Sequence, residues 1–397
     1  MKRLGRPRPW LNRTVVGIGL ASLLSDWSHE IATTLLPAFL ATMGVAAAWL
    51  GLIEGVSDGL SSLTKMASGY FTDRLPRRKP VAVAGYLITA VGTASFGLAT
   101  AAWHVLLARS GAWLGRGVRT PVRKALLAGA VTPESYGRAF GFERMMDTLG
   151  AIIGPATAVA LLAAMNGSYP RLFALTLVPG LAAAAVIALV VQERARTPVA
   201  HLSPVGSWRA LPADFKRFLI AVGAFGCGDF AHTLLILLAT QRLSPSLGPV
   251  TAAAIATSLY LLHNTLYASF AFVGGWLADR FSKRPLLAAA YSLAALMSFA
   301  LLLLPAGVGS LILVFSLGGI YVALEETLED SLCAELVPPE QHGMAFGTLA
   351  TVNGVGDFTS SIVVGALWTA FGTESAFAYS AALSLLGAGL MLFQRAR

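Results

Sequence analysis

The sequence predicts an all-α integral membrane protein with twelve transmembrane helices in two pseudo-twofold-related six-helix bundles. Three observations carry this: apolar stretches run nearly end to end, basic residues crowd into alternate connections, and one pattern recurs at a fixed spacing. Of 397 residues, 56% are hydrophobic and only 12% charged, against about 25% charged in a soluble domain. So little polar surface cannot cover a soluble globule of this length, and much of the surface must face lipid. Windows of about 20 residues mark spans at 14–42, 46–72, 79–101, 103–131, 137–165, 170–192, 215–241, 249–278, 283–305, 309–336, 342–371 and 374–394. The breaks carry Pro, Gly or charge, as in Leu75-Pro76-Arg77-Arg78-Lys79-Pro80 and Val337-Pro338-Pro339-Glu340. Barrel strands would alternate with period two over about ten residues, and no stretch does.

Orientation follows from Lys and Arg in the connections. One side holds Lys2, Arg3, Arg6, Arg8 and Arg13, then Arg74, Arg77, Arg78 and Lys79, then Arg138. It also holds Arg194, Arg196, Arg209, Lys216 and Arg217, followed by Arg280, Lys283, Arg284, Arg395 and Arg397. The alternate connections hold Arg171 and Arg242. Both termini are therefore expected in the cytoplasm of a cell with the chain in its inner membrane. The formal charge of +9 follows from this bias and excludes nucleic acid as the expected partner; the partner is the bilayer. The basic leader is too long in its apolar run for a cleavable signal. Cys227 and Cys333 fall inside spans and suggest no disulfide framework.

The chain is a duplication. Gly69-Tyr-Phe-Thr-Asp73-Arg74 matches Gly275-Trp-Leu-Ala-Asp279-Arg280, and Gly137-Arg-Ala139-Phe140-Gly141 matches Gly343-Met-Ala345-Phe346-Gly347, both at a spacing of 206. Asp26-Trp-Ser-His29 matches Asp229-Phe-Ala-His232 at 203. Halves repeated in parallel topology are related by an axis along the membrane normal. The expected units are a six-helix bundle over 1–192, a charged cytoplasmic linker over 193–214 and a second bundle over 215–397.

The pattern Gly-x-x-x-Asp-Arg-x-x-Arg-Arg over Gly69, Asp73, Arg74, Arg77 and Arg78, repeated in weaker form at Gly275, Asp279 and Arg280, resembles the signature loop of the major facilitator superfamily. Pro76 stands where that family usually places glycine. The resemblance implies alternating access, with the first, fourth, seventh and tenth spans lining the cavity. The physical need is plain: glycine permits close helix approach, Asp73 can accept from a neighbouring helix N-terminus, and the arginines anchor at anionic headgroups. Gly150-Ala-Ile-Ile-Gly154-Pro155 resembles the antiporter signature of exporters in the superfamily, with Ala158 and Val159 where that signature ends in glycines. Leu114 to Lys124 is similar to a group of bacterial efflux proteins. The resemblance therefore implies a monomeric carrier of a small molecule or ion, needing no cofactor beyond a proton gradient.

Charge within the spans is asymmetric. Lys65, Arg109, Arg116, Arg119, Arg123, Lys124 and Arg144 lie in the first half, and Asp229, Glu325, Glu326, Glu329, Asp330 and Asp357 in the second. Each costs about 2.5–3.5 kcal/mol near the bilayer centre on insertion scales, so they must face one another or a wet cavity. Arg109, Arg116, Arg119 and Arg123 follow steps of seven, three and four, one helical stripe. The 206 spacing sets Glu325 at the position of Arg119, Glu329 at Arg123 and Asp330 at Lys124. These stripes either pair across the bundle interface as a breakable gate or bind a charged solute. Asp26, His29 and Glu30 share one turn of the first span, and Asp229 and His232 repeat it. Two carboxylates and two imidazoles suit proton coupling, a divalent first-row metal as the transported substrate, or plain packing. Glu54, Asp58, Glu143 and Asp147, with Arg144, are expected to orient helices. No nucleophile–base pair, phosphate loop or zinc spacing points to an enzyme, and no soluble output domain to a sensor.

Overall fold

The computed structural model describes residues 9–45, 47–193, 198, 203–305 and 307–394. The basic leader Lys2, Arg3, Arg6 and Arg8, the linker residues Arg194 and Arg196, and the terminal Arg395 and Arg397 lie outside them. The described residues form helices, with no strand among them. Five spans come first: α1 (Arg13–Thr42), α2 (Ala47–Thr72), α3 (Lys79–Ala94), α4 (Ala102–Ala130) and α5 (Tyr136–Ala164). The sixth is in two pieces, α6 (Tyr169–Leu175) and α7 (Leu177–Leu189), and α8 (Pro204–Ala210) lies in the linker. The seventh is also in two pieces, α9 (Ala213–Gly226) and α10 (His232–Leu247). The last five are α11 (Pro249–Ala278), α12 (Lys283–Leu303), α13 (Val308–Leu336), α14 (His342–Phe371) and α15 (Thr373–Phe393).

Local chemistry explains the ends. The Asn12 side chain accepts from the N–H groups of Thr14 and Val15, capping α1, and donates to the Ala130 carbonyl at 2.9 Å, tying that start to the end of α4. The α10–α11 and α14–α15 turns are made at Gly248 and Gly372, with φ of 78° and 86°, a region that glycine enters without penalty. Pro37, Pro121, Pro155 and Pro245 sit inside helices, which bundle neighbours make tolerable in a membrane. The seventh span was expected to stop at 241; α10 runs on through Pro245 to Leu247 and carries Arg242 inside the helix, donating to the Leu301 carbonyl at 2.8 Å.

Six spans qualify on length and apolar composition alone among the described residues. The seventh is broken, and α1, α2, α4, α11 and α14 are diluted by polar and small residues. Of these, α2, α4, α11 and α14 touch the opposite bundle, as do α5 and α13. In the first bundle α1 packs on α5 and α7, and α4 on α2 and α3; in the second, α11 packs on α13, and α12 on α13 and α15. Between the bundles run two main seams, α2 against α14 and α5 against α11. The repeat carries α2 onto α11 and α5 onto α14, so the seams are one contact made twice.

Candidate functional site

Both seams close on the side where the linker lies. The Asp73 carboxylate, at the end of α2, accepts from the N–H groups of Gly343 (2.9 Å) and Met344 (2.7 Å) in the first turn of α14. Asp279, at the end of α11, accepts from Gly137 N–H (2.7 Å) and from Arg138 N–H (3.2 Å) and Nε (2.5 Å) on α5. First-turn amides have no partner within their own helix and carry the positive end of its dipole. Each carboxylate thus caps a helix of the opposite bundle, as the signature loop led one to expect of Asp73. The caps reach because the backbones touch. A Cβ on Gly69 would meet the Gly343 carbonyl oxygen, and one on Gly275 would meet that of Gly137.

The flanking cations repeat as well: Arg74 stacks on Tyr70 and Arg280 on Trp276, both at 3.8 Å from the ring centroid. Arg78 departs from the expected headgroup contact. It is 4% exposed and pairs with Asp73, because its own N–H and that of Lys79 are held by the Glu193 carboxylate at 2.6 and 2.8 Å. Glu193, the first linker residue, thereby fixes the loop that presents Asp73. Glu193→Ala should loosen the closed linker face, raising thiol labelling of a cysteine placed at Met344 several-fold, whereas Glu193→Gln should fall between the two.

Deeper in, Lys124 on α4 pairs with Asp330 on α13 at 2.6 Å, both at most 9% exposed. These residues are 206 apart. Repeat-equivalent residues that touch must sit on the pseudo-twofold axis. Phe140 and Phe346 (ring centroids 5.6 Å) and Tyr136 and His342 (6.4 Å) obey the same relation. Beside them Arg144 on α5 joins three carboxylates: Glu326 at 2.9 Å, Asp330 at 3.7 Å and Asp147 at 3.4 Å. Arg144 was expected only to orient helices within its own bundle; it crosses between bundles instead.

The rest of the α4 stripe corrects the expected stripe-to-stripe pairing. Arg109 pairs with Glu54 (2.6 Å), Arg116 with Asp26 (3.2 Å), and Arg123 with Glu143 (2.9 Å) and Asp147 (3.3 Å), all inside the first bundle. Arg119 is buried over the Tyr86 ring at 4.3 Å, its Nε and one terminal nitrogen unpartnered. On α13, Glu329 accepts from Tyr291 (2.6 Å) and Asn353 (2.7 Å) within its own bundle, and Glu325 is buried with no ion-pair partner among the described residues. Two straight helices that cross approach closely over a short length. Only the residues near that crossing, Lys124 and Asp330, can meet.

The two Asp/His pairs are alike in sequence and different in structure. His29 lies within a continuous α1, bonded to Thr33 at 3.1 Å, 3.9 Å from Glu30, and with its ring 4.4 Å from that of Trp113. Trp113 in turn donates to Asp58 at 2.5 Å. Asp229 instead sits where the seventh span is unwound, between Gly226 and His232. Freed carbonyls there are taken by hydroxyls: Tyr379 on Cys227 (2.9 Å), Ser380 on Gly228 (2.6 Å), and Ser360 on Asp229. Tyr321 donates to the Asp229 carboxylate at 2.8 Å. His232 opens α10 with its ring 4.6 Å from His263, and Nε2 of each is unpartnered. Asp26, His29, Asp229 and His232 are not gathered, and no group of three or more His, Cys, Asp or Glu among the described residues is arranged to hold a metal ion. The four-ligand set, one of the alternatives the sequence left open, is not assembled among the described residues.

Gly150 and Gly154 press α5 onto α1 at the turn of Asp26 and Glu30: a Cβ on Gly150 would lie 2.9 Å from the Trp27 nitrogen and 3.0 Å from the Asp26 Cβ. Pro155 follows inside the same helix. The antiporter-like motif thus sets the distance between the two helices that share the Asp26, Arg116, Arg123 and Asp147 network.

Depth orders these contacts. Ser62, which accepts from Thr351 across the α2–α14 seam at 3.2 Å, is ten residues from the end of α2 (72 − 62), and Glu326 is ten from the end of α13 (336 − 326). Ten helical residues span about 15 Å, half of a hydrocarbon core of about 30 Å. Every hydrogen bond and ion pair between the bundles among the described residues lies at that depth or nearer the linker. Beyond it, Glu30, Glu54, Asp58, Asp229 and Asp357 keep partial or full exposure.

Two bundles sealed to each other through one half of the membrane, with charge lining the other half, define a polytopic solute carrier. The chain belongs to the Major Facilitator Superfamily, whose family profile matches residues 18–239 and again 218–397. It is 27% identical to an uncharacterised MFS-type transporter of Methanocaldococcus jannaschii, covering 96% of this chain and 95% of that protein. A multidrug resistance protein of Salmonella, MdtH, is 32% identical over 109 residues, 27% of each chain. In fold it is similar to the human organic anion transporter MFSD10 (TM-score 0.78, 18% identity, 96% of this chain and 99% of that one). The fucose:proton symporter FucP of Escherichia coli is as similar (TM-score 0.78, 17%, 98% and 100%).

Proposed function

We propose that this transporter is a secondary active carrier that exports a small solute in exchange for protons across the cytoplasmic membrane, with the linker face cytoplasmic. The observation that carries the reading is the confinement of every hydrogen bond and ion pair between the bundles, among the described residues, to the linker-side half. That is the geometry of one end state of alternating access, and its mirror requires the Asp73 and Asp279 caps, Lys124–Asp330 and the Arg144 pairs to break together. Proton exchange is supported by the carboxylates that have no cation beside them. Asp229 is held by a tyrosine at an unwound segment, and Glu325 is buried beside Glu329 with no ion-pair partner among the described residues; a buried ionised carboxyl is costly, so a proton or a cationic group of the solute would balance such a site. Discontinuous helices mark coupling and substrate sites in other carriers. Export is supported by the Gly150–Gly154 packing beside Asp26.

Purified protein in liposomes loaded with a pH-sensitive dye tests this, challenged with a panel of organic cations, organic anions and divalent metal salts. One or more solutes should evoke proton movement opposite to solute flux. Asp229→Asn should abolish it, by more than tenfold, while leaving protein level and solute binding intact. Solute flux indifferent to the pH gradient, or full proton movement in Asp229→Asn, overturns the coupling.

A further inference from the structure

We propose that the linker face carries a binding site for one anionic phospholipid of the surrounding leaflet, seated between α2 and the linker helix α8. A cavity of about 420 Å³ lies there, walled by Leu63, Met66 and Phe71 of α2 and by Val205 and Trp208 of α8, with Met344 at its floor. Leu63 and Phe71 are 65% and 60% exposed, on the outward face of a helix that crosses the membrane. An apolar trough opening sideways at that level meets acyl chains rather than water.

Its rim chooses the headgroup. Tyr70 and Trp208 both line the trough, and each carries a cation: the Arg74 guanidinium lies 3.8 Å from the Tyr70 ring centroid and Lys216 Nζ 5.7 Å from that of Trp208. Apolar walls with a positive charge over each of two lining aromatics match a tail with a phosphate at its head, and the bilayer supplies that molecule without a search. Basic residues near a membrane surface each favour anionic lipid by about 1 kcal/mol. The trough also abuts the closed seam, because Met344 offers its N–H to Asp73 while its side chain floors the cavity.

Native mass spectrometry of the detergent-purified full chain, given equal amounts of phosphatidylglycerol and phosphatidylcholine, tests the site. The wild type should retain one phosphatidylglycerol under activation that strips phosphatidylcholine. Ala67→Trp, which fills the trough from its exposed wall, should lose that lipid. Lys216→Gln, a change on the linker surface, should weaken retention about fivefold, the equivalent of the ~1 kcal/mol expected of one cation. Equal retention of both lipids by the wild type overturns the headgroup assignment. Unchanged phosphatidylglycerol retention in Ala67→Trp and Lys216→Gln overturns the site.

Discussion

Replacing Lys124 with methionine should all but abolish transport, by about two to three orders of magnitude, with the protein still inserted and monodisperse. The change leaves Asp330 buried with only Arg144 at 3.7 Å to face it, and removing one member of a buried pair costs about 3–5 kcal/mol. That cost falls only on the state in which the linker face is sealed, since the pair joins the two bundles. The conformational equilibrium should therefore move toward an open linker face, read as faster labelling of a cysteine at Ser68 by a membrane-impermeant thiol reagent. Lys124→Met with Asp330→Met should recover sealing beyond either single variant, because two apolar side chains replace an orphaned charge. Labelling of Lys124→Met no faster than wild type would remove the pair from the gate.

Gly275→Val should be nearly as damaging through a different cause. Its side chain would occupy the place of the Gly137 carbonyl, and backbone on both sides leaves no flexible group to yield. Forced overpacking costs about 1–3 kcal/mol or more, and the displacement would also carry Asp279 away from the α5 amides. Solute binding from the linker side should persist while turnover stops, so equilibrium binding and flux should separate. Gly274→Val, one residue away, is the control: a Cβ there would meet the Leu324 side chain, which can move. Equal flux from the two variants would refute the seam argument.

Much of this architecture was legible in the sequence, and the reason is locality. Twelve apolar runs, a 206-residue register and the bias of basic residues are properties of single segments. The capping role of Asp73 was also readable, because a carboxylate beside a helix-packing glycine has few other uses in lipid. Partners were less legible than positions. Which carboxylate meets Arg116 or Arg123 depends on helix crossings, so Glu54, Asp26 and Glu143 displaced the acidic stripe as neighbours. Arg144 needed the rotation of α5 about its axis before it could be set between the bundles. Tyr291 and Tyr321, which hold Glu329 and Asp229, carry no sequence signal that separates them from core aromatics of apolar helices. The unwinding at Asp229 did leave a trace, Gly226-Cys227-Gly228, but two glycines in a membrane helix more often mark close packing. Neither Asp/His pair could reveal that only one lies on a continuous helix.

The contact between Lys124 and Asp330 on the pseudo-twofold axis also says something about descent. In a true homodimer of either half, the axis would bring two lysines together, or two aspartates, and like charges at that distance repel. The present pairing is available only to a chain whose halves have been free to diverge. The opposite charges therefore require two copies that have diverged, and they bind each half to the other rather than to a twin of itself.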